Sequence, residues 1–231
     1  MLLRTDCFQT LLSNKDDMTS EDILEQCWIG QGSIFSLIPR EKFIPCLWHD
    51  LKVTNYAVLS YQWKEYWGKI IAFLLGPDGV KAEFIWIDVF CLNQLDGNRM
   101  KTIQRSDEIY YNAKEYHLIE LGSFFRGWVL FELSSAHEII EPKVHHSQSD
   151  ITVLGVVKER FKEKGFEGCG FTKASDRNLV RKKIIEKYRS IQDFNKKVGE
   201  FLDEIQIGKK KSSPQVLSVK KLYVVADNSS T

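Results

Sequence analysis

The chain has 231 residues, enough for one domain of ordinary size with extensions or for two small domains. Its net charge of +1 predicts no long-range attraction to nucleic acid or to an anionic membrane. No apolar run approaches the roughly 20 residues that span a bilayer, and Asp6 follows the start too early for a signal peptide. Five scattered cysteines without a C-x-x-C pair argue against a disulfide framework and a zinc ribbon. We therefore expect a cytoplasmic protein with reduced thiols and no metal site.

The beginning of the chain has the pattern of an extension. The hydroxyl of Thr19 or Ser20 can cap a short helix over residues 21–28, because it satisfies a free backbone N–H at the helix start. Glycines at 30 and 32 then favour a plain turn over a phosphate-binding loop, since no strand precedes them and no lysine follows. Two apolar runs have the length of edge strands, at residues 34–38 and 43–47.

The middle of the chain alternates strand-like and helix-like patterns three times. Apolar runs typical of strands in a parallel sheet occur at residues 56–61, 84–87 and 116–119. Stretches of helical length follow them at residues 67–75, 99–113 and 127–140. Three such units predict a parallel α/β sheet with helices on both faces, and ligands bind such sheets at the carboxyl ends of the strands. The expected mouth is surrounded by residues 60–63, 88–94 and 121–126.

The last third is predicted to be rich in α-helix. Residues 151–157 have strand character, and the adjacent His145 and His146 are assigned to a loop. Ser175 or Asp176 can cap a basic helix. The other expected elements are turns at residues 165–170, the end of the basic helix near residue 189, a second helix at 191–205 and strand character at 216–225. The predicted parts of the chain are an N-terminal extension (1–45), an α/β domain (46–207) and a basic linker and tail (208–231).

Trp128 and Glu132 are the first candidates for a functional pair. They are four residues apart, so they share one face of a helix that follows the third predicted strand. A carboxylate beside an indole, at a mouth walled by Tyr61 and Trp63, can hold ribose hydroxyls or stabilise a developing positive charge. The alternative is an ordinary solvated glutamate, which spacing alone favours.

Asp88 and Cys91 follow the end of the second predicted strand. An acid at a strand end can cap the next turn through backbone N–H groups, so Asp88 is either a turn cap or a catalytic group. Cys91 is either a nucleophile or a buried thiol, and the sequence places no histidine nearby to activate it.

Three blocks of sequence, in this order, resemble the heterokaryon-incompatibility (HET) family, a divergent relative of Toll/interleukin receptor-like (TIR) domains. The first block is YAVLSYQW, at residues 56–63, and a Cys-Leu element precedes it at residues 46–47. The second is IWIDVFCLNQ, at residues 85–94, followed by IYYNA at 109–113. The third is RGWVLFE, at residues 126–132. The motif-bearing part therefore covers residues 56–141.

The resemblance implies a flavodoxin-like (TIR-like) fold and a location for the site. In TIR domains a W-x-x-x-E helix follows the third strand, and its glutamate is needed by the members that split NAD. Trp128 and Glu132 match that element, which implies that Glu132 is the catalytic carboxylate and that Arg126 meets a phosphate. The implied nucleotide-binding residues are Tyr61, Gln62, Trp63, Asp88, Cys91, Asn93, Gln94, Arg126 and Trp128.

Three functions are consistent with these residues. The first, implied by the resemblance, is cleavage of NAD in defence signalling or regulated cell death, with NAD as substrate and no tightly bound cofactor. The second is a non-catalytic module that self-associates or binds a protein partner, for which the basic segment at residues 181–183 is a candidate surface. The third is a nucleotide sensor that binds NAD or a related nucleotide at the same mouth without cleaving it.

Overall fold

The described part of the chain forms one mixed sheet with helices packed against it. The computed structural model describes residues 1–7, 19–20, 22, 40–92, 99–136, 140, 142–146, 151–171, 173–204, 217–219 and 222–226. Its strands are β1 (Leu2–Arg4), β2 (Phe43–Ile44), β3 (Tyr56–Ser60), β4 (Phe84–Trp86), β5 (Glu115–Ile119), β6 (Pro142–His146), β7 (Leu217–Val219) and β8 (Leu222–Ala226). The predicted α/β class is confirmed.

The strand order in the sheet is β2-β1-β4-β3-β5-β6-β8-β7. The inner strands β4, β3, β5, β6 and β8 run parallel to their neighbours in that group, whereas β1, β2 and β7 pair antiparallel at the two edges. In the register, Val58 of β3 lies opposite Trp86 of β4 and Tyr116 of β5. Every residue of β3 is buried, as expected for a strand covered on both faces.

The helices are α1 (Trp67–Leu75), α2 (Asp88–Cys91), α3 (Arg99–Gln104), α4 (Ser106–Asn112), α5 (Gly127–Ala136), α6 (Ile151–Lys164), α7 (Ala174–Tyr188) and α8 (Ile191–Glu204). The helices predicted after the first and third strands are confirmed as α1 and α5, and residues 137–139 lie outside the described residues. The polar stretch after the second strand forms α3 and α4. No helix in the described ranges is long and apolar enough to cross a membrane.

The predicted strand at residues 151–157 is wrong, because this segment begins helix α6. Its β-branched residues favour a strand locally. The buried side chains nevertheless follow a helical spacing, with Leu154, Val157 and Phe161 all facing the core. α6 packs against α8 and the short 3-10 helix at Gly165–Gly168, so tertiary packing overrides the local preference.

The assignment of His145 and His146 to a loop is also wrong, because both belong to β6. His145 is buried, and its Nε2 lies 2.8 Å from Nδ1 of His117 on β5. His117 Nε2 in turn lies 3.1 Å from a carboxylate oxygen of Glu115, which also accepts a hydrogen bond from Lys143. This network supplies hydrogen-bond partners to polar side chains that would otherwise be buried in a strand without them.

Both ends of the chain add strands to the sheet. The predicted extension contributes β1 and β2, and the segment with strand character at 216–225 contributes β7 and β8. The edge strand expected at 43–47 is confirmed in part as β2, whereas the one at 34–38 lies outside the described residues. Thr19 Oγ1 accepts a hydrogen bond from Asp22 N at 3.2 Å, as expected of a helix cap; residues 23–28 are also outside the described ranges.

Gly127, the first residue of α5, allows a close approach that a side chain would prevent. A Cβ built on it would lie 1.9 Å from the ring of Phe171. The surrounding backbone is held by bonds from Gly127 N to Gly170 O and from Gly170 N to Phe125 O. We expect Gly127→Ala to lower the free energy of unfolding in urea by about 1–3 kcal/mol, because Phe171 must move.

Gly199 in α8 is the matched control for this substitution, since a Cβ there would meet nothing within 4 Å. Gly199→Ala should raise the free energy of unfolding by about 0.5–1 kcal/mol through helix propensity. Equal effects of the two substitutions would contradict the close packing at the start of α5.

Candidate functional site

A cleft of about 230 Å³ opens at the carboxyl ends of β3 and β4, beside the first turns of α5. Its position agrees with the mouth expected from the strand pattern. Six of the predicted site residues line it: Tyr61, Trp63, Asp88, Arg126, Trp128 and Glu132.

The other predicted site residues are placed differently. Gln62 and Cys91 are absent from the described lining of the cleft. Cys91 is buried behind the wall, where its sulfur accepts a bond from Ile87 N, and burial raises the pKa of its thiol to about 11. It therefore has the character of a buried thiol rather than of a nucleophile. Asn93 and Gln94 lie outside the described residues.

Glu132 projects from α5 into the cleft. Ser60 Oγ, at the end of β3, donates to Glu132 Oε2 at 2.5 Å. The residue is half-buried, and dense protein surrounds its carboxyl group. This desolvation raises its pKa to about 8, and the charge of Asp88 adds to the rise, whereas Ser60, Tyr110 and Arg126 oppose it. Glu132 is therefore half-buried and hydrogen-bonded, unlike an ordinary solvated glutamate.

Asp88 lines the cleft and is held there by hydrogen-bond donors on both carboxylate oxygens. Its Oδ1 accepts hydrogen bonds from Val89 N at 2.7 Å and from Tyr61 Oη at 3.0 Å, and its Oδ2 accepts one from Trp63 Nε1 at 2.7 Å. It thus accepts a bond from one backbone N–H in the first turn of α2, and it lines the cleft as well. Burial raises its pKa, while these donors and Arg126 lower it. The donors fix the carboxylate in one orientation.

Aromatic side chains form much of the cleft wall. The indole N–H of Trp63 donates a hydrogen bond to Asp88, which gives the ring a defined orientation. Trp86 and Tyr110 meet edge to face, with ring centroids 5.6 Å apart, and both line the cleft together with Trp128. Flat, fixed aromatic walls suit a planar ring system, which can stack on them.

Part of the rim comes from α7 and the residue before it, to which the sequence assigned no role in the site. Lys173, Asp176 and Leu179 line the cleft. α7 is tied to α3 and α4 by Lys183, whose buried ammonium donates to Gln104 O and lies 2.6 Å from Asp107 Oδ1. The three lining residues lie more than 40 positions after Glu132, so no local sequence signal could place them here.

The arrangement joins aromatic walls, two cations and three carboxyl groups: Arg126 and Lys173, and Asp88, Glu132 and Asp176. Such a site can bind sugar hydroxyls, stack a planar ring and stabilise a positive charge that develops between them. Among its described lining residues there is no histidine or cysteine that would form a nucleophile–base pair. The described ranges contain no group of three residues with the geometry of a metal site.

Comparisons of the chain with protein-family models, with curated proteins and with solved structures found no match.

The pKa of Glu132 makes a prediction about stability. Between its usual value of 4.5 and about 8, the folded protein keeps a proton that the unfolded chain loses, so this group lowers stability as the pH rises. Above about pH 8 the effect levels off. Glu132→Gln cannot ionise, so its stability relative to wild type should increase from pH 5 to pH 8, by at most about 1.4 kcal/mol per pH unit. Urea unfolding of both proteins at several pH values measures this difference.

Glu115 supplies a control of opposite sign. Burial opposes its ionisation, but hydrogen bonds from His117 and Lys143 outweigh burial and lower its pKa to about 2. Its ionised form therefore stabilises the fold above about pH 4.5, and this contribution disappears as the pH falls towards 2. Glu115→Gln should be less stable than wild type at pH 7 and should approach it in acid. A pH-independent difference for Glu132→Gln would show that Glu132 titrates normally.

Proposed function

We propose that this protein cleaves the N-glycosidic bond of NAD, with Glu132 as the catalytic carboxylate. The observation that carries the proposal is the placement of Glu132, which faces an aromatic-walled cleft at the strand ends and is held there by Ser60. The residues that resemble the third HET block, Arg126, Trp128 and Glu132, all line this cleft. A carboxyl with no role in the cleft would be more stable in solvent, because burial of a charged group costs free energy.

The strand order supports a flavodoxin-like, TIR-like fold as part of this proposal. Numbered along the chain, the parallel strands β3, β4, β5, β6 and β8 follow the order 2-1-3-4-5 of flavodoxin-like sheets. Ligands of such sheets bind at the switch point between the first and third strands. Here those strands are β3, which ends at Ser60, and β5, which precedes the helix of Glu132.

In the proposed reaction the bond between the ribose C1′ and the nicotinamide nitrogen breaks. The bonding electron pair goes to the ring nitrogen and neutralises its positive charge, so nicotinamide leaves without needing a proton. The ribose becomes oxocarbenium-like, and ionised Glu132 stabilises this charge and accepts a hydrogen bond from a ribose hydroxyl. Water attacks C1′ and loses a proton, which yields ADP-ribose; attack by a group of the ADP-ribose itself would yield a cyclic product.

The remaining lining residues have assigned roles in the proposal. Trp63 and Trp128 would flank the nicotinamide ring, and Arg126 would meet a phosphate. A cleft of about 230 Å³ suits one nucleoside-sized part of the dinucleotide, so the nicotinamide riboside part would occupy it. By resemblance to the HET family, the biological role would be defence signalling or regulated cell death, and the protein would self-associate through its TIR-like domain.

A nucleotide sensor is the second candidate, and the half-buried position of Glu132 favours it. With a pKa of about 8, Glu132 is mostly protonated at neutral pH in the free protein, which weakens it as a stabiliser of positive charge. Bound NAD would counteract this, because its cationic nicotinamide ring favours ionisation of a neighbouring carboxyl. Binding without cleavage would leave the same cleft as a sensor.

Nicotinamide release from NAD by concentrated protein tests the proposal. Wild type should release nicotinamide, and Glu132→Gln should lose about 100- to 1000-fold in kcat, because it removes the charge that stabilises the transition state. Glu83→Gln, which changes an exposed carboxylate, is the matched control and should retain full turnover. kcat/KM should rise with pH up to about 8, as Glu132 ionises.

Calorimetry with NAD and with ADP-ribose separates the remaining outcomes. Binding without turnover in wild type would replace catalysis by nucleotide sensing. Turnover retained by a folded Glu132→Gln variant would remove Glu132 from the catalytic role. If the protein neither binds nor cleaves NAD at any protein concentration, the non-catalytic interaction module is the function that remains.

A further inference from the structure

A serine from the predicted N-terminal extension contacts two residues that line the cleft, Tyr61 and Trp63. Ser20 is completely buried, and its backbone N–H donates to Trp63 O at 2.9 Å. The preceding residue, Thr19, forms an isolated antiparallel bridge with Tyr66. The segment that carries Ser20 is therefore fixed to the loop that follows β3, which is the loop that supplies Trp63 to the cleft.

The side chain of Ser20 joins a chain of hydrogen bonds that ends on Asp88. Trp67 Nε1 lies 3.2 Å from Ser20 Oγ, Ser20 Oγ lies 2.8 Å from Tyr61 Oη, and Tyr61 Oη lies 3.0 Å from Asp88 Oδ1. Trp63 Nε1 donates to the other oxygen of the same carboxylate. A residue remote in sequence thus reaches a lining carboxylate through one tyrosine.

The donor inventory fixes the direction of this chain. The indole N–H of Trp67 can only donate, so Ser20 Oγ accepts that bond. Ionised Asp88 can only accept, so the single hydroxyl proton of Tyr61 points to Asp88. The proton of Ser20 must then point to Tyr61 Oη. Each bond in such a directed chain polarises the next one and strengthens it.

We propose that Ser20 is a positioning residue of the cleft, which acts through Tyr61 to hold Asp88 and, through Asp88, the ring of Trp63. Its effect on turnover rests on the proposed function, but its effect on Asp88 does not. The segment around Ser20 is then a structural part of the site, not an extension beside it.

Removal of the Ser20 hydroxyl leaves Tyr61 Oη without its donor and Trp67 Nε1 without its acceptor. Tyr61 then donates more weakly to Asp88, which favours the protonated form of that carboxyl and loosens the contact with Trp63. The titratable groups that interact electrostatically with Asp88 include Tyr61, Cys91, Tyr110, Arg126 and Glu132. Ser20 itself is uncharged, so its removal changes none of these charges.

Carboxyl NMR titration of the full chain tests the proposal without any need for activity. In Ser20→Ala the titration of Asp88, identified by its loss in Asp88→Asn, should move to higher pH, and the indole N–H resonance of Trp63 should shift. If the protein turns NAD over, kcat/KM below neutral pH should fall roughly three- to tenfold, the effect of one weakened hydrogen bond to a charged group. Ser135→Ala is the matched control, since Ser135 is a fully buried serine bonded to Phe131 O, away from the cleft.

A double-mutant cycle with Tyr61→Phe separates positioning from general destabilisation. Because Ser20 acts through the hydroxyl of Tyr61, Ser20→Ala should not move the Asp88 titration further in the Tyr61→Phe background. An unchanged Asp88 titration in folded Ser20→Ala, or an equal shift in both backgrounds, would overturn the proposal. If Ser20→Ala shifts the Asp88 titration only when Tyr61 is present, and the protein does not consume NAD, the positioning role is supported and the proposed catalysis is rejected.

Discussion

The hydrogen bond from Ser60 to Glu132 is the contact on which the site depends, because it joins the end of β3 to the helix that follows β5. The register makes it possible. Ser60 lies opposite Leu118 in the parallel pair of β3 and β5, so α5 begins beside the end of β3. The close packing of Gly127 on Phe171 then fixes where α5 starts. A slip of β3 by one residue would turn Ser60 to the other face of the sheet and break the contact.

Two of the three carboxyl groups that line the cleft, Asp88 and Glu132, differ in the donors that surround them. Asp88 is bound by an indole, a phenol and a backbone N–H, all of which stabilise its ionised form. Glu132 has the Ser60 hydroxyl and the neighbouring Tyr110, and burial dominates, so its pKa rises to about 8. Burial raises the pKa of both carboxyls, and for Asp88 three hydrogen-bond donors oppose that rise. Asp88 fits a fixed, orienting acid, and Glu132 fits the acid whose charge can change when a ligand binds.

The sequence predicts what depends on neighbours along the chain. The buried runs that become β3, β4 and β5 are apolar enough to be identified, and the spacing of Trp128 and Glu132 correctly indicates a shared helical face. Prediction from sequence fails where contacts between residues far apart along the chain determine the structure. His145 looks polar and loop-like until His117 on the next strand satisfies it. The β-branched start of α6 looks like a strand until Leu154 packs into the core as part of a helix.

The cleft is therefore not a property of the motif-bearing residues 56–141 alone. One wall is completed by α7, which Lys183 ties to the α3–α4 corner, and the lining residue Tyr61 is bonded to Ser20, more than 30 residues before the first motif. Groups contributed by segments so far apart in sequence lie in place only when the sheet and both flanking regions are packed together. The packing that stabilises the whole fold therefore also maintains the geometry of the cleft. Release of the Ser20 segment or of α7 would change the shape of the cleft even if Glu132 kept its position.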